Sequence, residues 1–272
     1  LFNKPTGIAI DSQENIYVFN SGSNEILKFD ETMNLVRIIG EYGDQAGQFN
    51  CLKDKGTICG LAVDANDNLY VIDKGNGRIQ KFDSDGNYLT SWGSFGTGEG
   101  RFTRPIYITV DCKENIIVSD DQSPIIQKFD STGNFLFHWG SFGEGEGQFQ
   151  HATGITVDSI GNIYISDYIN RNIQKFDSNG NFLQSWKTGT NGKSGVPEAI
   201  AIDLNDTIYV TDSKLKQIQV FAPDGNTIKT IPLPGAGIFN RIAPYGIVIS
   251  AYGTIFLSDR ANDRVLIIQT NQ

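Results

Sequence analysis

The side chains able to do chemistry are few and widely spaced. His138 and His151 are the only histidines in the chain, so the cluster of imidazoles that holds a catalytic zinc is lacking. There is no Gly-x-Ser-x-Gly elbow and no phosphate loop. The glycine-rich stretches 93–100 and 140–147 recur in register and lack a strand-to-helix context. Cys51 and Cys59 bracket residues 52–58, where a disulfide would imply an oxidising compartment, and a reduced pair is the default alternative. Cys112 reads as a free thiol in a turn, and the lone sequon Asn205-Asp206-Thr207 is compatible with secretion. What remains is recognition chemistry, carried by arginines, lysines, tyrosines and a carboxylate, Glu198. Whether those side chains meet depends on the elements that carry them.

Those elements repeat. An apolar pentapeptide ends at Asp11, Asp64, Asp111, Asp158, Asp203 and Ser250, in steps of 53, 47, 47, 45 and 47 residues. Such a period marks a repeat architecture. Each copy is followed by a second β-rich run, a third ending in Phe29, Phe82, Phe129, Phe176, Phe221 or Ile268, and a turn such as Asp83 to Asn87 whose glycine suits a tight hairpin. A fourth run ends at Trp92, Trp139 or Trp186. Four short antiparallel strands (a to d) per repeat predict an all-β propeller, and six repeats predict six blades in one domain. The blades fall at about 3–40, 51–93, 103–140, 151–187, 196–231 and 243–272. The recurrent Phe and Trp read as packing between blades.

The sixth repeat shows no strand d, so the last blade is expected to have three strands. Its missing strand is expected from upstream of Leu1, and its open edge invites pairing with another chain. With a single methionine, Met33, and Leu1 at the start, the chain reads as part of a longer protein. Among its 272 residues no apolar run approaches the eighteen or so that a membrane helix needs. A net charge of -9 disfavours nucleic acid without removing it, since a local basic face suffices for binding.

A propeller sorts its connections by side. The a–b and c–d turns share one face, which collects acids such as Asp11, Asp64, Asp111, Asp130 and Asp177, with Lys113 counted as the only base. The b–c and d–a loops share the other face, which carries most of the bases. There Asp73, Asp120, Asp167, Asp212 and Asp259 recur after strand b and are expected to bind loop backbone. Equivalent positions that differ between repeats are where a specific site can arise. At the channel mouth these are Thr6, Cys59, Ile106, Thr153, Glu198 and Tyr245. With Arg78, Arg104, Tyr107 (in place of a repeat glycine), His151, Tyr168, Lys214 and Arg260 as aromatic and cationic anchors, they define the expected binding surface.

The pattern from Pro105 through Asp111, Asn115 to Asp120, Ile126 to Asn134, Trp139-Gly140 and Gly147 to Phe149 resembles the NHL repeat, over essentially the whole chain. It lacks the Asn-His-Leu tripeptide; the corresponding loops read Asn76-Gly77-Arg78, Asn170-Arg171-Asn172 and Asn262-Asp263-Arg264. The resemblance implies a six-bladed propeller used mainly for binding. The leading expectation is a non-catalytic module, without cofactor or metal, that takes a protein or peptide partner on the loop face within a larger sensory, scaffold or surface protein. An RNA-binding module is the first alternative and needs Arg78, Arg104, Arg171, Lys214 and Arg260 to merge into one patch. A propeller hydrolase or lyase with a channel metal is the second. Lactonase-like propellers gather several oxygen ligands for calcium, whereas this mouth offers Glu198. The compartment is open, and extracytoplasmic if Cys51 and Cys59 are bridged.

Overall fold

A computed structural model describes residues 1–51, 58–235 and 242–269. Its innermost strands are Pro5–Ile10, Leu61–Val63, Pro105–Val110, Ala152–Val157, Pro197–Ile202 and Pro244–Ile249. Each touches the next in chain order, and the last touches the first, so six sheets close into a ring around a hub. Among the described residues five blades have four antiparallel strands in the order a-b-c-d, and the sixth has three, ending with Arg264–Gln269. Closure between the last and first blades rests on side chains: Ser258 donates to the carbonyl of Thr6 at 2.6 Å, and Glu14 accepts from the Ala251 amide at 2.9 Å. Among the described residues no helix is long and apolar enough to cross a membrane.

The core is the stack of interfaces between blades. Strands b, such as Ile16–Asn20, Ile116–Asp120 and Ile163–Asp167, open on apolar runs like Ile-Tyr-Val, Ile-Ile-Val and Ile-Tyr-Ile and are buried along their whole length, because a neighbouring sheet covers each face. The recurrent aromatics do pack between blades: Trp92 meets Phe129, Trp139 meets Phe176 and Trp186 meets Phe221, at 6.0–6.1 Å between ring centres. Each of these tryptophans also lies on the glycine of the next blade's c–d turn. A Cβ on Gly133 would sit 2.5 Å from Trp92, so that glycine serves both its positive φ of 92° and the indole face.

The turn face is built from one module used repeatedly. Asp158 accepts from the amides of Ile160 and Asn162, the Asn162 side chain and the Tyr164 hydroxyl; Asp11 and Asp64 repeat the set. Desolvation, joined by the charge and hydrogen bond of the aspartate, pushes the Tyr164 hydroxyl pKa up. Lys113 is not the only base here. Lys28, Lys81, Lys128 and Lys175 leave strand c, pair with Asp11, Asp64, Asp111 and Asp158, and donate to carbonyls in the next blade's c–d turn. A lysine's long aliphatic stem carries its charge from mid-strand to the face, which a count by loop cannot anticipate.

Candidate functional site

On the loop face the recurrent aspartates hold backbone as expected. Asp120 accepts from the amides of Thr103, Arg104, Gln122 and Ser123, and Asp167 from those of Gln150, Ile169 and Asn170. Each thereby ties the start of strand a to the b–c loop. Immediately after that tie the ladder slips. In five blades strand a carries one extra residue opposite strand b, between Pro5 and Ile8, Pro105 and Tyr107, Ala152 and Ile155, Pro197 and Ile200, and Pro244 and Gly246. A bulge re-aims the side chains within it. Thr6, Ile106, Thr153, Glu198 and Tyr245 all fall in these bulges.

The six mouth positions do not share one fate. Thr6, Cys59, Ile106 and Thr153 are buried beneath the loops, and Thr153 donates to neighbouring oxygens of Ser166 and Pro197. Glu198 and Tyr245 instead border a cavity of about 440 Å³ with Tyr168, Val196, Ser213, Lys214, Lys216, Ile242 and Ala243. Glu198 is 8% exposed. Burial pushes its carboxyl up to about 7, against a hydrogen bond from Ser213 and the charge of His151, and with the Asp212 charge adding to the rise.

Tyr107 is not a loop-face anchor. Its side chain crosses the hub from the third blade to the sixth, opposite in the ring, and its hydroxyl donates to the Tyr245 carbonyl at 2.8 Å. The four repeat glycines at this register stand so close to the next strand that a Cβ on Gly246 would lie 2.5 Å from the Thr6 carbonyl. Tyr107 therefore fills the axis, bordering a second cavity of about 210 Å³ lined by strands a. Tyr245 borders both cavities.

Beside the mouth, Arg104 pairs through Nε and Nη2 with both carboxylate oxygens of Asp121, and His151 Nε2 lies 3.4 Å from the same carboxylate. Burial opposes charge on Asp121, but His151, Arg104 and the field of Lys74 outweigh it and hold that carboxyl below its usual range. His151 meets the Tyr168 ring edge-on at 5.7 Å, and the Arg260 guanidinium lies 5.9 Å from the Tyr245 ring centre. Arg78 stands apart: it is held by Asp73 at 2.8 Å and by the carbonyls of Gln45 and Gln48. Lys53, Lys55 and Arg241, counted with the loop-face bases, lie outside the described residues.

Asp121, Ser213, Val196 and Ile242 were not singled out from the sequence. A signal for two of them was present. The residue after the recurrent strand-b aspartate reads Lys74, Asp121, Tyr168, Ser213 and Arg260, and all of these differ. Cys51 and Cys59 are bonded, with Cα atoms 6.6 Å apart, and Cys112 is exposed and free. Among the described residues no three His, Cys, Asp or Glu side chains gather as a metal site would require. Glu198 alone does not make a calcium site.

The family described as NHL repeat matches at residues 60–82. The chain thus carries an NHL repeat in its second blade. It is 28% identical to human NHL repeat-containing protein 3 over 110 residues, which cover 38% of the chain and 30% of that relative. The chain thus aligns with under a third of the length of the curated relatives it matches. Its fold is similar to a streptogramin B lyase structure, with a TM-score of 0.65 at 15% identity over 96% of this chain and 92% of the other. It is likewise similar to a gluconolactonase from Xanthomonas campestris, with a TM-score of 0.67 at 16% identity over 95% and 84%. The expectation that the chain is non-catalytic is corrected by these neighbours. The same propeller carries enzymes, so missing zinc and calcium ligands do not exclude catalysis on it; at such identity the likeness conveys the fold alone.

Proposed function

We propose that this NHL propeller is a recognition module whose loop-face mouth takes a peptide or a protein segment. One observation carries the reading: Glu198, Tyr168, Lys214 and Tyr245, from three different blades, border one open cavity. A buried carboxylate under an aromatic and cationic rim is the make-up of an interface anchor pocket. Arg78 and Arg104 are engaged by Asp73 and Asp121, which weighs against the merged basic patch that RNA would need. The bonded Cys51 and Cys59 support an oxidising compartment.

A peptide array probed with this chain, followed by titration of the best binders, tests the reading. Binders should weaken at least tenfold on the Tyr168→Ala and Lys214→Ala double variant, and should change little when salt is raised. Binders indifferent to both substitutions would place recognition elsewhere, and a steep salt slope with RNA would favour nucleic acid.

A second reading, acid–base catalysis at the same carboxyl, is favoured by the rise of Glu198 to about 7, where a proton can be taken or given at neutral pH. Mass spectrometry of a bound ligand after incubation separates the two. A product formed by the wild type and absent with Glu198→Gln supports catalysis; a ligand recovered intact supports recognition alone.

A further inference from the structure

Glu198 is more than nine-tenths buried and borders the mouth cavity. An ionised carboxylate has about four acceptor sites. Among the described residues Ser213 is its hydrogen-bond donor, which leaves acceptor capacity for water or a ligand in the cavity that Glu198 borders. The walls of that space are Tyr168 and Tyr245, with Val196 and Ile242 as apolar surface. Each tyrosine has a nitrogen-bearing neighbour within its own blade: the His151 ring meets Tyr168 edge-on, and the Arg260 guanidinium lies over the Tyr245 ring. Aromatic faces beside a buried anion favour a cation, because ring quadrupole and carboxylate act with the same sign.

The rim adds a second requirement. Lys214 is exposed and Lys216 half-buried, and both border the cavity. The exposed Lys214 ammonium at the entrance repels a ligand that is only cationic, and it suits one that carries an acceptor or an anion a few bonds from its cation.

We infer that the mouth binds a primary ammonium next to a carbonyl or carboxylate, with the ammonium against Glu198 and the oxygens towards Lys214. Free α-amino acids and peptide N-termini share this chemistry. The inference rests on the mouth being the recognition site, and narrows what enters it first.

Calorimetric titration with three probes tests it: L-leucine, the amidated tripeptide Ala-Leu-Ala with a free N-terminus, and the same tripeptide N-acetylated. The amine-bearing tripeptide should bind at least tenfold more tightly than its acetylated twin, and Glu198→Gln should erase that difference. Tyr168→Leu, which keeps the volume and removes the ring face, should cost the free amine three- to tenfold. Binding of L-leucine without the tripeptide would keep the ammonium assignment and make the ligand a free amino acid. Equal binding of the two tripeptides, or binding of none of the three probes, overturns the inference. Array peptides that bind the mouth equally well when acetylated would overturn it too, while leaving the recognition reading standing. Thermal unfolding of each variant separates lost binding from lost fold.

Discussion

The two faces of the ring use the same strands and the same residue types to opposite ends. On the turn face, three acids at equivalent positions share one set of partners: Asp11, Asp64 and Asp158 each bind an asparagine, a tyrosine hydroxyl and a lysine. On the loop face, the single acid at the mouth, Glu198, has no counterpart in the other blades and few partners. A buried carboxylate with its hydrogen bonds filled braces the turns and strands of its own blade. One left short of donors is strained by its own charge and is available to a ligand.

Removing an acid should therefore have opposite signs on the two faces. Asp158→Ala strands the Tyr164 hydroxyl, two amides and the Lys175 ammonium, and should lower stability by about 3–5 kcal/mol in urea unfolding. A loss under about 1 kcal/mol would mean that the module is decorative.

Glu198→Gln should do the reverse, and only in one pH range. The folded carboxyl is raised from 4.5 to about 7. Its favourable, protonated state is therefore fully present at low pH and is lost as pH rises through the folded value. Wild-type stability should fall between about pH 4.5 and 7 relative to the glutamine variant. The gap should be near zero at pH 4 and about 3 kcal/mol at pH 8. The other charges at this site, His151, Asp212, Lys214 and Lys216, are common to both proteins. Parallel stability curves would show that Glu198 has more partners than the structure gives it.

Lys214→Ala should sit at the small end, within about 0.5 kcal/mol of wild type, since it is an exposed loop residue. The same substitution should still weaken a mouth-bound ligand. A large change in unfolding would make it a scaffold residue like Lys175.

Much of this was legible from spacing. The period located all six blades, the turn glycines located the hairpins, and recurrence separated the packing residues Phe129 and Trp139 from candidates for a site. Recurrence also predicted that Asp120 and Asp167 bind backbone, which they do. At the mouth, equivalence in sequence does not set burial. Thr6, Ile106 and Thr153 are equivalent to Glu198 and Tyr245 in sequence, yet they end up beneath the loops, and Tyr107 spans the axis instead of joining the face. Ser213 and Asp121 carry no signal by residue type; they stand out only as members of one register of unlike residues.

Composition and period alone determined a closed ring of sheets, since six copies of one amphipathic unit can bury their apolar faces only against each other. Tertiary structure decided which of the unlike residues meet. The bulges at the start of strands a, the reach of each side chain across the hub, and the charge left unmatched at Glu198 depend on contacts between segments up to 138 residues apart, such as Tyr107 and Tyr245. No local pattern encodes such distances, because each is set by the packing of all six blades at once.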